Sequence, residues 1–273
     1  MTEELQKSID TTFADLLKYE YGTIKSVDKP TAHIVGGQPG SGKSAVKDIL
    51  LKNDANIMII DGDEHRKHHP QYQQIKRENP DLMPELTQEF SQVLNQKLIN
   101  HAITNKIPFA VETTFWSASA TEKLVKPAKE NGFLTQLHVL AVNPKISRLY
   151  TISRFENGKE NGSIGRTNAK EIHDDRVAKN IETLQKLSEI GLFDTVSIYG
   201  RMVTENQSIT RLIEQNPKNP VETLLNERSR QQTNDEIVFY SNQVKYIILM
   251  MEKRLEKPEK TEAFKSEFVK FLV

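Results

Sequence analysis

Ile34-Val35-Gly36-Gly37-Gln38-Pro39-Gly40-Ser41-Gly42-Lys43-Ser44 closes a short apolar run and opens a segment of helical pattern. Gly37, Gly42, Lys43 and Ser44 satisfy G-x-x-x-x-G-K-[ST], the phosphate-binding P-loop. Glycines let the backbone take positive φ and turn several N–H groups onto one anion. The helix that follows aims the positive end of its dipole at the same place. The residues Gly37, Gln38, Pro39, Gly40, Ser41, Gly42, Lys43 and Ser44 are therefore the candidate nucleotide cradle. Within it Lys43 reaches the β- and γ-phosphates and the Ser44 hydroxyl is placed to ligate Mg²⁺. ATP with Mg²⁺ is the expected ligand pair.

Outward from this loop the pattern alternates. Thr31–Gly36, Asn56–Asp61, Ile107–Val111, Phe133–Val142 and Phe193–Tyr199 read as strands, each short and apolar. Helical stretches separate them, over about 43–52, 86–102, 118–131, 144–155 and 169–190. The alternation predicts an α/β fold with a five-stranded parallel sheet flanked by helices. Residues 1–29 read as an N-terminal helix and linker, 30–205 as the nucleotide-binding domain. Residues 206–273 read as a C-terminal helical extension, after a polar connection over 206–220. Its stripe Ile237, Tyr240, Val244, Ile248, Met251 and Leu255 either packs on the sheet or meets a partner. The segment 65–84 reads as a loop with short turns, and Glu156–Ser163, with two Asn-Gly pairs, as a mobile loop.

Composition narrows the classes. Among 273 residues there are 37 Lys+Arg and 37 Asp+Glu, a formal charge of zero that argues against a broad nucleic-acid or membrane surface. There are no cysteines, which excludes disulfides, thiol catalysis and Cys-ligated zinc. No signal-peptide pattern opens the chain and no apolar run is long enough to span a bilayer, so a soluble cytoplasmic protein is expected.

In open parallel sheets, ligands sit beyond the carboxyl ends of the strands. The candidates for chemistry fall there. Asp63, just past the second strand, can accept a proton from an attacking hydroxyl. Asp61 either serves Mg²⁺ indirectly or caps the next turn. Glu112 and Thr114 end the third strand, where they hold a substrate or merely cap. Arg154 and Arg166 flank the Asn-Gly-rich loop, as arginines of a closing lid would. Trp116, beside Phe115, stacks on a base or sugar or belongs to the core. His65, His68 and His69 read as surface histidines, because they lack acidic or cysteine partners at usable spacing.

Taken together, GGQPGSGKS (36–44), IIDGDEHRKHHPQY (59–72), VETTF (111–115), SRFE (153–156) and GRTNAKEIHDD (165–175) resemble, in order and spacing, the zeta toxin family. The resemblance covers roughly residues 30–200. It implies a P-loop kinase fold and an ATP-dependent kinase acting on the 3′-hydroxyl of the amino sugar of UDP-N-acetylglucosamine, a peptidoglycan precursor. The family's P-loop lysine falls on Lys43, its metal-binding hydroxyl on Ser44, and its catalytic aspartate on Asp63. Its phosphate-stabilising arginines fall on Arg154 and Arg166, and its substrate-contacting Glu and Thr on Glu112 and Thr114. Familiar members continue E-G-T-x-R, whereas this chain has Trp116 at the arginine position, which puts the acceptor in question and leaves the ATP side untouched. The resemblance further implies a small helical antitoxin. The stretch before the first strand is short for a fused three-helix inhibitor, so a separate antitoxin chain is expected. Two other functions fit the motifs less fully. One is a P-loop kinase for another acceptor, such as a different UDP-sugar, an antibiotic or a polynucleotide 5′-hydroxyl. The other is a nucleotide switch without phosphotransfer.

Overall fold

The computed structural model describes residues 2–79, 82–160, 169–205 and 207–272. Its centre is β1 (Thr31–Gly36), in which every residue after Thr31 is buried. Around it lie β2 (Met58–Ile60), β3 (Phe109–Thr113), β4 (Leu134–Leu140), β5 (Thr195–Thr204) and β6 (Gln207–Gln215), in the order β2-β3-β1-β4-β5-β6. β1 pairs in parallel with β3 and β4. The sheet carries one strand more than the five expected, because β6 runs antiparallel to β5 from Thr204↔Gln207 to Ser197↔Gln215. The polar stretch 206–220 predicts a connection there instead. As an edge strand β6 is largely exposed on both faces and has no need of an apolar run. The two prolines of that stretch, Pro217 and Pro220, both lie beyond its end.

The α-helices of the described residues are α1 (Glu3–Asp15), α2 (Lys43–Asn53), α3 (Gly62–His65), α4 (Tyr72–Glu78), α5 (Met83–Leu86), α6 (Gln88–Thr104), α7 (Ala118–Glu130), α8 (Pro144–Glu160), α9 (Lys170–Ile190), α10 (Pro220–Ser229), α11 (Asn234–Lys253) and α12 (Pro258–Glu267). Successive strand residues face opposite sides, so β1 sends Ile34 into one apolar cluster and Val35 into another. The first cluster joins Ile9 of α1, Leu94 and Leu98 of α6, and Leu184 of α9. The second joins Val46 of α2, Leu149 of α8, and Tyr240, Val244 and Ile247 of α11. A sheet covered on both faces explains why its parallel strands read as continuous apolar runs.

Three local expectations are corrected. The stretch 65–84, taken for a loop, contains α4 and the start of α5; α4 buries only Ile75, so it shows no stripe in the sequence. The supposed loop at 156–163 is helical as far as Glu160, because Glu156 is buried and ion-paired with Lys159 and Arg254. Residues 161–163 lie outside the described residues. Leu255 is 90% exposed beyond the end of α11 with φ +55°, while Tyr240, Val244 and Met251 of the same stripe are buried.

Candidate active site

Gly37–Gly42 links β1 to α2 and folds back over its own lysine. Gly40 has φ +74°, and a Cβ there would stand 2.0 Å from the Ser147 carbonyl oxygen of α8. Gly42 has φ +89° and caps the N-terminus of α2. Any L-side chain at these two positions is excluded or strained. The Lys43 ammonium is buried and donates to the carbonyls of Gly37 at 3.2 Å and Gln38 at 3.4 Å. Burial pushes its pKa down, against the opposing pull of the Glu112 and Asp63 carboxylates. Ser41 is buried with its hydroxyl unpartnered in the loop. A loop with positive-φ glycines, a desolvated ammonium and an unused hydroxyl fits a triphosphate.

The Gln38 side chain is fully buried and turned away from the cavity. Its Nε2 donates to the Val142 carbonyl at 2.8 Å, and its Oε1 accepts from Arg228 Nη2 at 2.7 Å. Only the backbone of Gln38 is left for a ligand. Arg228 also donates to the Val177 carbonyl at 3.1 Å, and burial lowers its pKa to about 10.

Beyond Lys43 the charges alternate. Glu112, at the end of β3, lies 3.6 Å from Lys43 Nζ and 3.0 Å from Lys47 Nζ. Lys47 also pairs with Asp61. Burial works against both charges, but the Glu112 and then the Asp61 carboxylate raise Lys47, and Lys47 lowers the Asp61 carboxyl. Asp61 caps α3, accepting from the backbone N–H of Asp63 at 3.0 Å. Asp63 itself is more than half exposed and pairs with Arg66 Nε at 3.1 Å. Arg154 of α8 lies near enough to Lys43 to oppose its charge.

A cavity of about 1030 Å³ gathers Gly40, Lys43, Ser44, Asp63, Glu112 and Arg154 on its walls. Thr114 and Trp116 do not line it. Between them Phe115 takes φ +54° and buries its ring against Gly36, where a Cβ would stand 2.7 Å from the ring. Asn180 Nδ2 donates to the carbonyls of Thr114 and Phe115 at 2.9 and 2.7 Å, fixing this strained turn. The turn sends Trp116 outward, half exposed beneath the guanidinium of Arg176 at 5.2 Å, into a separate groove of about 480 Å³. Arg166 lies outside the described residues.

The histidine reading needs correction. His65 and His69 are buried, and His65 Nε2 lies 3.3 Å from the Tyr21 hydroxyl. Among the described residues no group of three or more His, Asp or Glu is arranged to hold a metal ion. Sequence reasoning also missed Lys47 and Arg228. Lys47 had a signal, since it follows Lys43 by four residues and so shares its helix face. Arg228 had none, standing 190 residues from its partner Gln38.

A mostly parallel sheet whose central strand feeds a glycine-rich phosphate loop, with a lysine, an aspartate and an arginine around one cavity, defines a P-loop kinase-like protein. The zeta toxin family model matches residues 16–245. Toxin PezT of Streptococcus pneumoniae is 30% identical over 204 residues, covering 72% of this chain and 81% of that protein. Toxin zeta of Streptococcus pyogenes is 30% identical over 218 residues, covering 78% and 74%. The solved PezAT chromosomal toxin–antitoxin system of Streptococcus pneumoniae superposes with a TM-score of 0.76 at 23% identity, over 94% of this chain and 99% of the other. The chain belongs to the zeta toxin family, a family of kinase-type toxins. No helix among the described residues is long and apolar enough to cross a membrane.

Proposed function

We propose that this zeta toxin family member is an ATP-dependent kinase that phosphorylates the 3′-hydroxyl of the amino sugar of UDP-N-acetylglucosamine, and that it is the toxin of a toxin–antitoxin pair. The observation that carries the kinase reading is one cavity shared by the phosphate loop, Asp63 and Arg154. The UDP-sugar rests on the family resemblance. The cytoplasm, where such an acceptor is made, is the matching location.

In this reading the Asp63 carboxylate takes the proton of the acceptor hydroxyl as its oxygen bonds to the γ-phosphorus and the bond to the ADP oxygen breaks. Lys43 and Arg154, with Arg166 in the same role, meet the charge that grows on the equatorial oxygens. Glu112 would hold a substrate hydroxyl or amide once Lys43 turns to phosphate. Thr114 and Trp116 would contact the parts of the acceptor that extend past the cavity. Ser44 would hold Mg²⁺, which supplies charge neutralisation between the phosphates.

The partner proposed is a separate small helical antitoxin that obstructs the nucleotide site; the toxin–antitoxin origin of the superposed relative supports it. Purified protein with ATP and Mg²⁺ against a panel of UDP-sugars tests the enzyme. A phosphorylated UDP-N-acetylglucosamine is the expected product, and transfer only to another acceptor would replace the substrate. Expression in a bacterium without antitoxin should arrest growth, with relief by Asp63→Asn. Harmless expression of active enzyme would remove the toxin role.

A further inference from the structure

Arg201 of β5 stands on the wall of the same cavity. Its guanidinium carbon lies 3.8 Å from the centre of the Tyr150 ring on α8. On its other face is Gly42: a Cβ there would sit 3.3, 3.4 and 3.6 Å from Nη1, Cζ and Nη2. Three nearly equal distances mean that the planar group lies flat between the glycine and the tyrosine. Nε donates to Ser208 Oγ at 2.8 Å, which fixes rotation within that slot. Position 42 is thus glycine for a second reason besides its φ.

The electrostatics of this placement are unfavourable in the free protein. A cation is held at the N-terminus of α2, where the helix dipole is positive and Lys43 is already close. No carboxylate lies within ion-pair distance of Arg201 among the described residues. Glu227, which shares a small cavity with Arg201, is engaged elsewhere: Arg230 pairs with it at 2.9 Å and with Glu236 at 2.6 Å, and Arg230 Nη2 also donates to the Arg201 carbonyl at 2.7 Å. The fold supplies a cation, fixes its plane and withholds its counter-ion.

The direction of the nucleotide follows from the sheet. Asp63 follows β2 and Glu112 ends β3 on one side of β1, whereas Arg201 belongs to β5 on the other, with β4 between. The γ-phosphate has to face the acceptor. The remaining phosphates and the nucleoside therefore extend toward β5. We propose that Arg201, stacked between Gly42 and Tyr150, is a binding residue for the nucleoside-proximal phosphates of the nucleotide, an arginine that reads the diphosphate and not the transferred group. The proposal rests on the nucleotide-site reading above and deepens it.

ADP binding by calorimetry, with no acceptor present, separates the two. Arg201→Gln should weaken ADP and ATP by the same factor, about 10–50-fold, as for loss of a charge-assisted contact to phosphate. Arg201→Lys, which keeps a cation but not the planar fork, should lose about 3–10-fold and covers the case in which the glutamine variant does not fold. The ligand-free melting point of each folded variant should stay within about 3 °C of the parent, since removal of an unpaired cation near a helix N-terminus costs little. ADP affinity within threefold of the parent in a folded variant overturns the proposal, as does a loss confined to ATP. A parent protein that fails to bind ADP would overturn the nucleotide reading as well.

Discussion

Arg228, near the end of α10, donates to Gln38 Oε1 inside the phosphate-binding loop at 2.7 Å and has no carboxylate partner among the described residues. The same Nη2 lies 3.5 Å from Asn180 Oδ1, and Asn180 holds the Thr114–Phe115 turn. One buried guanidinium therefore bridges the nucleotide loop and the turn after β3. Arg228→Met would leave the Gln38, Val177 and Asn180 oxygens without this donor. The expected loss is about 1–3 kcal/mol of folding stability. Urea unfolding measures it, and weaker ADP binding should accompany it as the loop loosens. Unchanged stability would show that the bridge is dispensable.

Lys43 leads to the opposite stability result. Its ammonium is buried with carbonyl partners and a carboxylate at 3.6 Å, and burial already depresses its pKa. Lys43→Ala removes a desolvated charge and leaves Glu112 paired with Lys47. Phosphotransfer should vanish while the unfolding midpoint stays the same or rises. A clearly lowered midpoint would mean that the ion pair holds the fold.

Asp63→Asn keeps the shape and the contact with Arg66 but cannot accept a proton. The turnover rate should fall about 10²–10⁴-fold with nucleotide affinity little changed. Arg154→Ala should likewise lower kcat more than acceptor binding, because the charge it meets grows in the transition state. A fall of less than about tenfold for Asp63→Asn would assign the base elsewhere.

His33 of β1 and His138 of β4 are buried side by side, with Nδ1 and Nε2 at 3.0 Å. Burial pushes His33 down to about 4; burial, with the neighbouring His33, takes His138 to about 3. The unfolded chain titrates near 6.5, so below that pH it binds protons that the folded chain refuses. Stability should be full above about pH 6.5 and decline as the pH falls from there toward 4. Between pH 7 and 5 the pair should account for about 2–4 kcal/mol, and His33→Gln should roughly halve that slope in urea unfolding. A pH-independent midpoint over this range would contradict the neutral buried pair.

Legibility in the sequence followed locality. The glycines at 40 and 42 and the lysine at 43 carry their own conformational and chemical signature, and β1 runs over the residues the apolar run predicted. Parallel strands buried on both faces are apolar throughout, which made them easy to find. β6 was not legible, because an exposed edge strand needs no such run. Asn180 and Arg228 were invisible for another reason. Each acts on residues tens to hundreds of positions away, and nothing local distinguishes a buried arginine from a solvated one. Trp116 was recognised as unusual, but the positive φ of Phe115 that turns it away from the cavity is a property of the packed ring, not of the tryptophan.

The contact between Gly40 and Ser147 has a mechanical consequence. Because the phosphate loop is packed on α8 with no room for even a methyl group, and Arg154 rides on that helix two turns further on, loop and arginine belong to one rigid body. The far end of α8 is tethered as well, through Glu156 and Glu160 to Arg254. Hinging of α8 that draws Arg154 toward the phosphates would have to break both the Gly40–Ser147 packing and the Arg254 ion pairs. Among the described residues, α3 with Asp63 stands across the cavity from this body, so the acceptor's side meets an anion site that is already assembled.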